Sequence, residues 1–190
     1  MLWTKGLGPA ALIVLMSGCA TARSQYIRTL DDHTGIGVVY HGFGTALRVR
    51  ATYLSPGFRD ALAEERRRLL NADAADHGRF VAMMQSDEEA YHEVVFTAES
   101  DVETRTTFGD TDDAWQVRLR ADGIPQPLVT VYRVREVTAL HEMIYTHKNL
   151  WNDLWIARFE RVTPTPGVVE FEVASGYGHN AIRWQGEAVQ

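Results

Sequence analysis

Thr45-Ala46-Leu47-Arg48-Val49-Arg50-Ala51-Thr52-Tyr53-Leu54 is the stretch whose reading decides the fold. Leu47, Val49, Ala51 and Tyr53 alternate with Arg48, Arg50 and Thr52. Successive strand residues point to opposite faces, so period two with arginines on one face predicts a half-buried strand. Upstream, Ile36 to Tyr40 is a candidate partner strand, with His41-Gly42-Phe43-Gly44 as the connection.

Downstream the period changes. Ser55-Pro56 reads as an N-cap followed by proline in the first helical turn. Phe58, Leu62, Leu69 and Leu70 lie near helical spacing, and Glu64 stands four residues before Arg68, a favourable helical pair. A helix over 56–71 is predicted, then a second near 74–85 with Phe80, Met83 and Met84 on one side and Gly78 in its path.

From about residue 91 strands return. Val94-Val95-Phe96 marks one, and Trp115, Val117, Leu119 and Ala121 alternate with Gln116, Arg118 and Arg120. Asp122-Gly123 supplies a turn, and Leu128 to Val137 is the next strand. Trp155, Ala157 and Phe159 face one way, Arg158 and Glu160 the other. After the Pro164–Gly167 turn, Val169, Phe171 and Val173 alternate with Glu170 and Glu172. Ile182 and Trp184 mark a last short strand behind Ser175-Gly176-Tyr177-Gly178. Short strands separated by glycine and proline turns, with no run of β-α-β units, predict a mainly β chain. The expected architecture is an antiparallel immunoglobulin-like or related β-sandwich with a two-helix insertion, about 56–86, after the first strand.

The N-terminus carries a different signal. Lys5 is followed by the apolar run Ala10 to Met16, closed by Ser17-Gly18-Cys19. A positive start, a short apolar run and small residues at a cleavage point form the layout of a secretory signal peptide. The run is too short for a mature transmembrane helix, which needs about 20 apolar residues. Met16-Ser17-Gly18-Cys19 resembles the lipobox of bacterial lipoproteins, with Met16 where that family usually has leucine. The resemblance covers the first 19 residues. It implies cleavage before Cys19, a diacylglycerol on its sulfur and usually an acyl group on the new amino end. Two or three acyl chains anchor a protein stably, whereas one does so only marginally. Ala20, rather than aspartate, follows the cysteine, which by the same resemblance implies passage to the outer membrane. The expected division is therefore a cleaved peptide at 1–18, a lipidated cysteine and polar tether at 19–34, and one β-rich domain at 35–190.

Composition fits that division. The chain has 190 residues, so removing 18 leaves 172, enough for one domain with a real core. A hydrophobic share of 45% excludes a disordered chain. Loss of Lys5 leaves 18 basic side chains against 25 acidic, a net charge of −7. That balance argues against a nucleic-acid partner. Cys19 is the one cysteine, so lipidation leaves the domain without a disulfide, a thiol nucleophile or a zinc–thiolate site. No cofactor is expected beyond the covalent lipid.

The remaining chemical candidates are few. His141, Glu142 and His147 are ligand types for zinc, but Tyr145 stands where H-E-x-x-H needs its second histidine. His147 also falls six residues after His141, on another helix face. Asp110, Asp112 and Asp113, with Glu99, Asp101 and Glu103 nearby, are oxygen-rich, but Trp115 and Ala121 stand where an EF-hand loop needs glycine and glutamate. Ser175 is outside any G-x-S-x-G elbow, and the paired glycines at 35–37 and 42–44 lack the rest of a phosphate loop. Arg66-Arg67-Arg68 reads as a solvated helix face. Trp115, Trp155 and Trp184 sit in strand patterns and are expected in the core. Trp151, in the irregular Asn149-Leu150-Trp151-Asn152 stretch, is the candidate exposed aromatic for binding.

These features predict a lipid-anchored envelope protein, a non-catalytic binding or assembly module that meets the membrane through acyl chains and has an envelope protein as a candidate partner. An alternative is an envelope hydrolase, metal-dependent through His141, Glu142 and His147. Another is a carrier of a small apolar ligand, with the helical insertion as a lid over the sandwich and an apolar cavity beneath Phe80 and Met83.

Overall fold

A computed structural model describes residues 22–101 apart from 24, 107–109 and 115–186. Cys19 and the signal peptide lie outside the described residues, as do Glu103, Asp110, Asp112 and Asp113. The described chain is mainly β, with nine strands in two antiparallel sheets that do not close into a barrel, and four helices.

The deciding stretch is β2 (Gly44–Tyr53), paired with β1 (Thr34–His41) through the expected hairpin. β3 (Tyr91–Glu99), β6 (Leu128–Arg133) and β7 (Asp153–Glu160) complete a sheet of order β1-β2-β3-β7-β6. β4 (Gln116–Ala121), β5 (Ile124–Gln126), β8 (Val168–Ser175) and β9 (Gly178–Gln185) form the second, of order β5-β4-β8-β9. The residues that alternate inward from both sheets make one core, including Val49, Phe96, Phe159, Leu119, Phe171 and Trp184. Phe171 reaches across to Phe96 and Phe159, with ring centroids 5.5 and 6.3 Å apart. Each fully buried side chain of this size contributes about 2–3 kcal/mol over exposure. Trp115, Trp155 and Trp184 are buried here, as their strand patterns required.

The other face of the five-stranded sheet is covered by helices, which is why β3 is buried along nearly its whole length. α1 (residues 25–32) precedes β1, and α2 (Pro56–Leu70) and α3 (Ala74–Ala90) join β2 to β3. α4 (Ala139–Ile144) lies between β6 and β7. α2 starts where expected: Phe58 N donates to Ser55 Oγ at 3.2 Å, and Pro56 occupies the first turn. It stops at Asn71, whose φ of 47° takes the left-handed conformation. α3 is capped by Asp73, which accepts from Asp76 N at 2.8 Å.

Four expectations change. The helical pair follows the second strand, because Thr34–His41 is a full strand. Residues 25–32 of the expected tether are helical, since Tyr26 and Leu30, four apart, share one buried face. Tyr26 Oη donates to Ile144 O at 3.2 Å, tying this helix to α4. The strand expected to reach Val137 ends at Arg133. The segment after it, for which the sequence offered no element, contains α4, whose Leu140 and Ile144 join the core on the helical side of the sheet.

Candidate functional site

One end of the five-stranded sheet gathers most of the features a binding surface needs. Here β2 begins, β3 and β6 end, and β7 begins. The register fixes this: Arg48 pairs with Glu99, Ala98 with Asp153, and Arg133 with Trp155. The β1–β2 turn is at the same end, joined to the end of β3 by Asp101 N donating to Thr45 O at 3.1 Å.

Two loops project from this end. In the first, Gly42 has φ of 58°, which suits glycine, and Phe43 beside it is fully exposed. In the second, Leu150 and Trp151 are 87% and 88% exposed. These are the three most exposed large apolar side chains among the described residues. The second loop is nonetheless well tied. Asn149 Oδ1 accepts from Trp151 N at 2.8 Å, Asn152 Oδ1 accepts from Asn149 N at 3.0 Å, and Asn152 Nδ2 donates to His147 O at 3.2 Å. Such asparagine turns satisfy the backbone locally and leave the apolar side chains pointing at solvent.

Hollows flank the loop on both faces of the sheet. On the inner face a hollow of about 470 Å³ is lined by Trp151, Trp155, Arg133, Asp153 and Ser100. Arg133 and Asp153 are paired at 3.3 Å across its mouth. On the outer face, hollows of about 130 and 170 Å³ share Arg50, Thr146 and His147. Burial, and secondarily Arg50, lowers the His147 pKa to about 4, so the ring is neutral at physiological pH. Among the described residues, His147 Nε2 and Trp155 Nε1 are buried without a hydrogen-bond partner. The arrangement offers exposed aromatic and aliphatic contact with polar groups behind it, and no nucleophile paired with a base.

The sequence candidates separate. His141 Nδ1 accepts from Thr138 N at 3.1 Å, so it caps its own helix. Glu142 is exposed on α4, and His147 is buried under the neighbouring loop. Among the described residues no three side chains of metal-ligating type are grouped to hold an ion. Ser175 Oγ accepts from Tyr177 N at 3.1 Å and shapes its turn. Arg67 and Arg68 are exposed on α2 and paired with Glu64 and Glu65. Phe80 carries Arg66 over its ring at 4.4 Å, and Met83 is about half exposed. Trp151 is exposed as read, but its company was missed. The signal for Phe43 was a large apolar residue between two turn glycines.

Two further polar clusters are structural. His92 Nε2 donates to Thr163 O at 2.9 Å, leaving Nδ1 to accept from Tyr53 Oη at 2.9 Å. Burial first, then Arg161, lowers the His92 pKa to about 4, while burial pushes Tyr53 up to about 12. Between α2, α3 and the sheet, Arg59 Nη2 meets Glu93 Oε2 at 3.2 Å, and Arg158 meets Glu93 at 3.4 Å and Asp87 at 3.2 Å.

No protein-family model and no curated protein matches the chain. A crystal structure of a protein of unknown function from Burkholderia pseudomallei is similar at a TM-score of 0.43 and 13% identity, over 94% of this chain and 90% of that one. Among the described residues no helix is long and apolar enough to cross a membrane.

Proposed function

We propose that this is a lipid-anchored protein of the bacterial cell envelope, held at the outer membrane by acyl chains on Cys19. It acts there as a non-catalytic binding or assembly module. The observation that carries the binding role is the gathering of Phe43, Leu150 and Trp151 at one end of one sheet, the Leu150–Trp151 loop being held by its own asparagines. Apolar side chains held out in water at a fixed place suit a surface that gets covered. The anchor rests on Met16-Ser17-Gly18-Cys19 behind the apolar run. An immunoglobulin-like relationship is the finer proposal for the fold, supported by two antiparallel sheets on a shared core. An experimental structure that aligns with no immunoglobulin-like domain would remove it.

The test of the anchor is fractionation of cells expressing the wild-type chain or Cys19→Ser, with and without globomycin, an inhibitor of the lipoprotein signal peptidase. Wild type should stay with membranes through a carbonate wash, and globomycin should leave a larger, uncleaved form. Unchanged processing, or a Cys19→Ser chain that is equally membrane-bound after cleavage, would reject the anchor.

A further inference from the structure

We infer that the end of the five-stranded sheet dips into the lipid bilayer itself, with Phe43, Leu150 and Trp151 seated at the level of the lipid headgroups. This deepens the anchored reading and rests on it for the presence of a membrane nearby.

The two loops stand apart. Phe43 comes from the β1–β2 turn and Leu150–Trp151 from the loop before β7. In the sheet order β2-β3-β7, only β3 separates the two strands those loops adjoin. With strands about 4.8 Å apart, the loops stand roughly 10 Å from one another across the sheet, and the register, which sets Val49, Ala98 and Asp153 level, carries Phe43 about four residues, or about 13 Å, further along the strand direction than Trp151. They are separate projections, not one flat patch. A protein partner would need a matching recess for each, whereas the interfacial layer of a bilayer accepts isolated side chains wherever they enter.

The side chains at the tips suit a membrane interface. Tryptophan is favoured at the boundary between hydrocarbon and water, where its ring is buried and its N–H stays wet. Phenylalanine and leucine on the apolar side complete that pattern. The ions behind the tips balance: Arg48 pairs with Glu99 at 2.9 Å and Arg133 with Asp153 at 3.3 Å, and the remaining Lys148 beside the second loop and Asp101 beside the first are opposite in charge. Apolar burial therefore drives insertion, so binding should occur on zwitterionic lipid and depend little on salt.

The chain between anchor and domain is short. Two residues, Ala20 and Thr21, lie between Cys19 and Ala22, the first described residue. At about 3.5 Å per residue that segment reaches no more than roughly 10 Å. An acylated Cys19 thus keeps the domain against the bilayer. A second contact then fixes which way the domain faces, since one attachment point alone leaves it free to swivel.

The tryptophans make the test direct. Trp3 is in the segment removed with the signal peptide, Trp115, Trp155 and Trp184 are buried, and Trp151 is exposed. The lipidated protein is reconstituted into phosphatidylcholine vesicles carrying bromine on the upper acyl carbons, and its fluorescence is compared with that in unbrominated vesicles. Brominated lipid should quench the Trp151 share of the emission, and the Trp151→Phe protein should lose that quenching. Phe43→Ser and Leu150→Ser, which change side chains already in contact with solvent, should each reduce it at least about twofold while leaving the fold intact. Trp151 emission that iodide in the water quenches fully and brominated lipid does not would overturn the proposal and leave the tips to a soluble partner. So would quenching unchanged by both serine variants. Failure of the anchor is read separately, as a Cys19 peptide without acyl mass, and tip insertion is then measured on the unlipidated chain at saturating vesicle concentration.

Discussion

Replacing Glu93 by glutamine should cost this protein a large part of its stability, although the change is nearly isosteric. Glu93 is 5% exposed and Arg59 is 2% exposed, and their ion pair lies between α2 and the sheet. Among the described residues Arg59 is otherwise held by backbone and sulfur acceptors: Nε donates to Leu54 O at 3.1 Å, and Nη1 to Met84 O at 3.4 Å and toward Met84 Sδ at 3.9 Å. Glutamine can keep a hydrogen bond, but it cannot balance a buried guanidinium. Removing one partner of a buried pair costs about 3–5 kcal/mol, because the remaining charge is left desolvated and uncompensated. Arg158 also loses an anion, but it is only part-buried and keeps Asp87, so its share is the smaller one. The assay is urea unfolding of the mature chain followed by tryptophan emission. With a slope of about 2 kcal/mol per molar urea, the midpoint should fall by about 2 M. Arg59→Met combined with Glu93→Gln should be less harmful than the sum of the two single changes, since no unpaired buried cation remains. A Glu93→Gln midpoint within the error of wild type, or strict additivity in the double variant, would refute this account of the helix–sheet interface.

Other outcomes follow from single contacts. Gly35→Ala places a methyl group 2.1 Å from Ile182 Cγ2, where β1 crosses β9, and should destabilise by about 1–3 kcal/mol in the same urea assay. Ser55→Ala removes the α2 cap and should cost about 1 kcal/mol, seen as a lower melting temperature. For His92 the folded pKa of about 4 is below the usual value, so the unfolded chain binds the proton more readily. Its stabilising contribution is complete above about pH 6.5 and is lost as pH falls through that value toward 4, by on the order of 3 kcal/mol. His147, whose pKa burial also lowers to about 4, titrates in the same window, so stability measured at stepped pH should show the sum of the two slopes and His92→Gln should remove about half of it. Asn152→Ala should loosen the Trp151 loop without unfolding the domain, which faster amide exchange over residues 147–151 would report.

How far the sequence could be read depended on which faces are buried. β2, β4 and β8 each have one face in the core and one facing charge, so their alternation was plain. β3 is covered on both faces, which removes the alternation, and only its Val94-Val95-Phe96 centre stood out. α2 carried its own cap and proline. α1 shows Tyr26, Ile27 and Leu30 against a polar background, and its helicity depends on the groove between α2 and α4 that receives them. α4 has six residues, too few for a period to register. At the candidate site, Trp151 stood out because it breaks the strand pattern. Its proximity to Phe43 depends on the pairing of β2 with β3 and of β3 with β7, across more than a hundred residues of sequence. Histidines at 141 and 147 were close in sequence yet have unrelated roles, one capping a helix and one buried beneath a loop.

The most direct measurement is the mass of the N-terminal peptide of the protein extracted from membranes. The account predicts a chain that begins at Cys19 and carries a diacylglyceryl group on its sulfur, with an acyl group on its amino end. A chain that begins at Met1 or at any residue after Cys19, or a Cys19 peptide of unmodified mass, would contradict it.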